Sequence, residues 1–153
     1  MRSIPHAGKK CGITVLELLI CLAIIAIVTA SALPAYHRAR NRAAIVKTAS
    51  IIASLEAALS MYQTDMGDYP GGDGTGSAAL VESLMGPVND PLWKGPYMRF
   101  KQADIDAQRN ILDTWKKPIT YRYPQDIHRN VPFIIVSSGP DRQFDTPDDI
   151  GNW

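Results

Sequence analysis

Cysteine is nearly missing from this 153-residue chain: Cys11 and Cys21 are the only two, and nothing after residue 21 carries a thiol. A disulfide framework and a four-ligand zinc site are excluded. Histidine is also scarce, with His37 and His128 the only imidazoles beyond His6, and there is no nucleophile motif or metal-hydrolase spacing. A membrane-anchored enzyme or binding domain is therefore a rival without a motif to carry it. Neither sign of charge dominates: 16 Lys and Arg face 15 Asp and Glu, for a formal net charge of +1. No basic excess argues for nucleic acid, and no acidic excess argues for disorder. The length holds one domain with a modest core, which excludes a two-domain enzyme.

Much of the apolar content lies in one stretch. From Ile13 to Leu33 the run ITVLELLICLAIIAIVTASAL has a single ionisable residue, Glu17, and matches the ~20 helical residues that cross a hydrocarbon layer. A cleavable secretory signal competes, because Arg2, Lys9 and Lys10 form a basic n-region and Ala30-Ser31-Ala32 is an A-x-A-like site. The apolar run is too long for that reading. A lipoprotein signal needs its cysteine after the run, whereas Cys11 precedes it. Orientation stays open, since Arg38, Arg40, Arg42 and Lys47 rival the basic residues before the run.

Glu17 is the odd residue in the run. A carboxylate at the bilayer centre costs on the order of 3 kcal/mol, so either it snorkels to the interface or a cation answers it. If the chain were cut just before Ile13, Glu17 would become the fifth residue, where a helix macrodipole and a free α-amine both favour negative charge.

Beyond Pro34, the spacing of Ile45, Ile52, Leu55, Leu59, Tyr62 and Met66 predicts an amphipathic helix, with Gly67 and Pro70 as the stop. Counted from Ile13, one helix of roughly 54 residues and ~80 Å is expected, interrupted by the bond that Pro34 cannot make. His37, Arg38, Arg40, Arg42 and Lys47 lie just past the apolar run. They face solvent, lipid phosphates or acidic faces of neighbouring subunits.

Residues 67–100 read as a connecting loop with a short helix at Ser77 to Met85. Gly71-Gly72-Asp73-Gly74-Thr75-Gly76 is not a phosphate cradle, because no Gly-Lys-Ser/Thr follows and a helix, not a strand, precedes it. Strands are predicted at Ile119 to Tyr123 and Pro132 to Ser137. Two or three antiparallel strands packed on the helical stripe make an α+β head, with Trp115 as a core anchor. The tail holds Asp141, Asp145, Asp148 and Asp149 among turn formers, which suits either a hard cation such as Ca²⁺ or Asx turns in a solvated loop.

The segment Lys9-Lys10-Cys11-Gly12-Ile13-Thr14-Val15-Leu16-Glu17, its apolar run, Pro34 and Tyr36 resemble the class III signal of type IV pilin-like proteins. That resemblance implies prepilin peptidase cleavage between Gly12 and Ile13, N-methylation of Ile13, and assembly through Glu17, which pairs with the N-terminal amine of a neighbouring subunit. Asp113-Thr114-Trp115-Lys116-Lys117-Pro118 is similar to a motif before the first sheet strand of type II secretion major pseudopilins, with Thr114 and Lys116 where proline and glycine are usual. The run SSGPDRQFDTPDDIGNW is similar to the calcium loop and ending of the same family, with Arg142, Phe144 and Asp145 where glycine, proline and glycine are commoner.

The resemblance thus implies a type II secretion major pseudopilin. Its fold is α+β and pilin-like: a long N-terminal helix, membrane half then amphipathic half, packed on a small antiparallel sheet with a C-terminal calcium loop. Residues 1–12 form the cleaved leader, 13–33 the transmembrane and assembly helix, and 34–153 the periplasmic domain. Structural Ca²⁺ is held by Asp141, Asp148 and Asp149 side chains with Ser138 and Thr146 carbonyls, Asp145 being an extra ligand or none. Implied partners are further copies in a homopolymer, prepilin peptidase, minor pseudopilins, and an inner-membrane assembly platform with its ATPase. The chain sits in the inner membrane before assembly and in a periplasmic fibre after it. A type IV pilin or minor pilin is the runner-up, but it commonly closes its C-terminal region with a disulfide loop that this sequence lacks.

Overall fold

The computed structural model describes residues 14–86 and 89–153; the leader, Gly12 and Ile13 lie outside them. One helix, α1 (Val15–Met66), precedes a small head in which α2 spans Ala78–Met85 and the strands are β1 (Gly72–Asp73), β2 (Thr120–Tyr123), β3 (Ile134–Ser137) and β4 (Ile150–Gly151). Two compact units meet in sequence at Ala39 and Arg40.

In the first unit the described part of the helix is open on its apolar positions. Its large apolar side chains from Val15 to Leu33 are 52 to 77% exposed, and its apolar window is long enough to cross a membrane. Thr14 starts the helix by accepting the Glu17 N–H on its hydroxyl at 3.2 Å, the side-chain half of a capping box. The helix continues through Pro34, one backbone hydrogen bond short because proline has no N–H to give.

The second unit has the core. Ile52, Leu55, Ala58, Leu59 and Tyr62 of α1 meet Leu80, Val81 and Leu84 of α2. Ile111, Ile119, Tyr121, Phe133 and Ile135 close the other side. Of the predicted stripe, Met66 packs at the edge of this cluster and Ile45 does not join it, being 38% exposed. Thr48, one turn further on, is the first buried position, and its hydroxyl shares a 2.9 Å hydrogen bond with that of Thr114.

The sheet is antiparallel in the order β1-β2-β3-β4. Tyr121 pairs with Ile135, and both point into the core while Thr120 and Arg122 point outward, as a period of two requires. Two strands go beyond the sequence reading. β1 arises inside the glycine-rich segment read as loop, because Gly72 leaves room for the Tyr121 ring and backbone to close on it, and β4 arises in the tail, where Ile150 pairs with Ser137. Both are two residues long, too short for an alternating pattern to be seen.

Trp115 is not a core anchor. It is only partly buried, outside the core cluster, and the buried member of its motif is Asp113, 3% exposed. Trp93 takes the aromatic place instead, packed against the core edge with its indole N–H donating to the Ser83 carbonyl at 3.1 Å.

Candidate functional sites at the helix start and the tail loop

Glu17 lies in the first turn of α1. There its carboxylate faces the positive end of the helix macrodipole. Among the described residues it meets no cation; Lys94 and Asp65, at 3.0 Å, form the ion pair those residues contain.

The tail loop follows β3. Ser137 and Ser138 are buried, and Gly139 turns the chain with φ 61°. A side chain on Gly139 would collide with the Asp148 carbonyl, so glycine is what lets the two ends of the loop touch. Asp148 ties that closure: its carboxylate accepts the Asp141 N–H at 3.0 Å and the Thr146 hydroxyl at 2.7 Å. The Thr146 hydroxyl foremost, and the Asp141 N–H after it, hold the Asp148 carboxyl below the usual range. Asp149 accepts the Asp145 N–H at 2.8 Å on one oxygen. Its other oxygen, Oδ1, is buried with no hydrogen-bond partner. Asp141 is exposed and accepts the Gln143 N–H at 2.8 Å.

Of the predicted ligands, Asp141 is joined to Asp148, and Thr146 is joined to both Asp148 and Asp149 through its hydroxyl and N–H, while Ser138 is buried at the start of the loop. Among the described residues no three Asp, Glu, His or Cys side chains converge on one point. In kind the donors suit a hard cation, being all oxygen, and the orphaned Asp149 Oδ1 is an acceptor that burial penalises until something positive meets it.

Two residues that sequence reasoning missed hold this loop to the sheet. Asp113 accepts the N–H groups of Trp115 and Lys117, both at 2.8 Å, on Oδ1, and the Ser137 hydroxyl at 2.7 Å on Oδ2. Asn152 accepts the Ile135 N–H at 2.9 Å and donates to the Phe133 carbonyl at 3.1 Å. Asp113 was visible as the first residue of an Asp-x-Trp turn. Nothing local marked Asn152.

A family model described as type II secretion system (T2SS), protein G, matches residues 35–153, and one for the prokaryotic N-terminal methylation motif matches residues 8–33. The chain belongs to the type II secretion system protein G family. As a protein G it is a structural pseudopilus subunit of that system. Type II secretion system core protein G of Pectobacterium carotovorum is 31% identical over 145 residues, 95% of this chain and 85% of that one. Its counterpart in Escherichia coli K12 is 30% identical over 145 residues, 95% and 92% of the two chains. A crystal structure of the major pseudopilin of enterohaemorrhagic E. coli is 28% identical and covers 76% of this chain and 92% of that one, with a TM-score of 0.49. Likeness in sequence, not superposition, carries the assignment.

Lys116, Arg142 and Asp145 all have positive φ, 64°, 64° and 65°. Each holds a left-handed backbone that a residue with a Cβ adopts only at a cost.

Proposed function

We propose that prepilin peptidase cuts the chain between Gly12 and Ile13, that Ile13 is N-methylated, and that the subunit then polymerises from the inner membrane into a periplasmic pseudopilus. The observation that carries this reading is the helix α1, whose first part exposes its large apolar side chains and whose second part is the spine of a packed head. An apolar helix without a core of its own needs lipid or other copies of itself to cover it. Assembly offers the second. Glu17, unpaired among the described residues, would meet the N-terminal amine of a neighbouring copy, and two charges costly to bury alone become acceptable together at one register.

The tail loop would hold Ca²⁺ through Asp141, Asp148 and Asp149 with the Ser138 and Thr146 carbonyls. Asp149 Oδ1, buried and unpartnered, supports that reading. When bound, the ion would neutralise a loop with four carboxylates, and an affinity on the order of 10⁻⁴ to 10⁻³ M would suffice in a compartment supplying millimolar calcium. Minor pseudopilins and an inner-membrane platform with its ATPase are the expected partners of growth, with no catalytic role for this chain.

The test of the assembly reading is Glu17→Ala in the native secretion setting. Membrane insertion and cleavage should persist while fibre formation fails, and normal fibres would remove the charge pair from the proposal. Gly12→Ala should leave the leader attached, seen as a higher intact mass.

A further inference from the structure

Arg38, Arg40 and Arg42 take no part in the packed head. All three are exposed, and among the described residues none has a carboxylate partner, the ion pair there being Lys94 with Asp65. Helix α1 contains no acidic residue between Glu17 and Glu56, so nothing on the helix itself offsets them. From Ile13 onward the chain has two more acidic than basic residues, which makes the local cluster a departure from the whole.

Position narrows the partner. Along α1, Arg38, Arg40 and Arg42 are five, seven and nine residues past Leu33, about 7.5, 10.5 and 13.5 Å at helical rise. A headgroup layer adds roughly 5 to 7 Å to each side of the hydrocarbon, so the three start just outside it and reach the phosphates by snorkelling back along their long side chains. Tyr36, 62% exposed, lies between Leu33 and Arg38, where amphipathic rings collect at a membrane interface. Arginine also outnumbers lysine here, and a guanidinium grips a phosphate with two parallel hydrogen bonds where an ammonium offers a point charge.

We propose that Arg38, Arg40 and Arg42 form an anionic-phospholipid site that fixes the depth of the unassembled subunit in the membrane. The proposal rests on the membrane-anchored reading of the apolar run. Each subunit extracted into a fibre gives up these headgroup contacts, so the lipid opposes premature extraction and the strength of that opposition follows the anionic lipid content.

The experiment uses the full chain in phosphatidylcholine vesicles, with spin-labelled phosphatidylglycerol or phosphatidylcholine as the probe of lipid held at the protein surface. The unsubstituted chain should prefer the phosphatidylglycerol label on the order of fivefold, and the preference should shrink between about 0.05 and about 0.5 M salt. The triple substitution R38Q/R40Q/R42Q should bring the two labels close to parity, and R38K/R40K/R42K should retain most of the preference. Parity in the unsubstituted chain, or a preference that survives the glutamine triple, overturns the proposal. Parity in the unsubstituted chain together with loss of subunit cross-links in the glutamine triple gives the arginines to a second copy instead. Alkaline carbonate washing separates the two levels: a chain released from vesicles fails the membrane reading itself, whereas one retained at parity fails only the arginine site.

Discussion

Ser137 Oγ donates a 2.7 Å hydrogen bond to Asp113 Oδ2, and both residues are buried. Asp113 uses its other oxygen to hold the turn that enters β2, and Ser137 ends β3 where the tail loop leaves the sheet. One carboxylate therefore fixes the start of one strand and the end of the next.

Asp113→Ala should destabilise the head by about 3 kcal/mol, because two backbone N–H groups and a buried hydroxyl lose their charged acceptor. Ser137→Ala should cost about 1.5 kcal/mol. Chemical denaturation of the single and double variants checks the coupling, which the shared bond makes non-additive.

Calcium should stabilise the full chain in detergent by about 1.4 kcal/mol at tenfold excess over its Kd, read as a rise in Tm against a chelator control. Asp148→Ala and Asp149→Ala should each abolish that rise. A rise that survives both substitutions would place the ion elsewhere.

The left-handed positions predict gains. Lys116→Gly, Arg142→Gly and Asp145→Gly each relieve a backbone strain of about 1 to 2 kcal/mol, less the added entropy of an unfolded glycine. A net gain of about 0.5 kcal/mol is expected at Arg142. Lys116 should gain less, since its ammonium also donates to the Ala103 carbonyl at 3.0 Å. Thermal unfolding of the single variants orders them.

Stability should fall on both sides of neutrality. Asp65 is held below the usual range chiefly by the Lys94 ammonium, Asp68 by the Tyr123 hydroxyl, Asp73 by the Thr75 N–H, and Asp148 by the Thr146 hydroxyl. Burial raises Asp106, but hydrogen bonds from Asn110 outweigh it and leave it lowered. Carboxylates depressed on folding stabilise above their unfolded value near 4, and that contribution is lost as pH falls through the folded values. The Tm should thus drop below about pH 4. Burial raises the Tyr62, Tyr97 and Tyr121 phenols, so they favour the folded state below the unfolded value near 10 and cease to as pH rises above it. A Tm profile flat across the acid limb would contradict the carboxylate geometry.

The helix was legible because its signals were long: apolar content over one part and a repeat of three, four and seven over the other. Leu55 and Leu59, read from that repeat, are fully buried, and Leu→Ala at either should cost about 2 to 5 kcal/mol. Ile45→Ala should stay within about 0.5 kcal/mol, because the repeat extends to Ile45 while the packing starts at Thr48. β1 and β4 were illegible since two-residue strands carry no period, and what defines them is their partners, Tyr123 and Ser137, distant in sequence. In the tail, composition gave the donors but not their hydrogen bonds, which depend on how Gly139 lets Asp148 approach.

The brevity of β1 and β4 has an effect at the scale of many subunits. They are the two margins of the sheet, and a two-residue margin offers almost no free backbone ladder for a foreign strand to extend. Molecules crowded side by side in a bilayer are at high local concentration, the condition under which open sheet margins seed amyloid-like stacking. Among the described residues such stacking finds little template, so the head itself resists the disordered association that crowding favours.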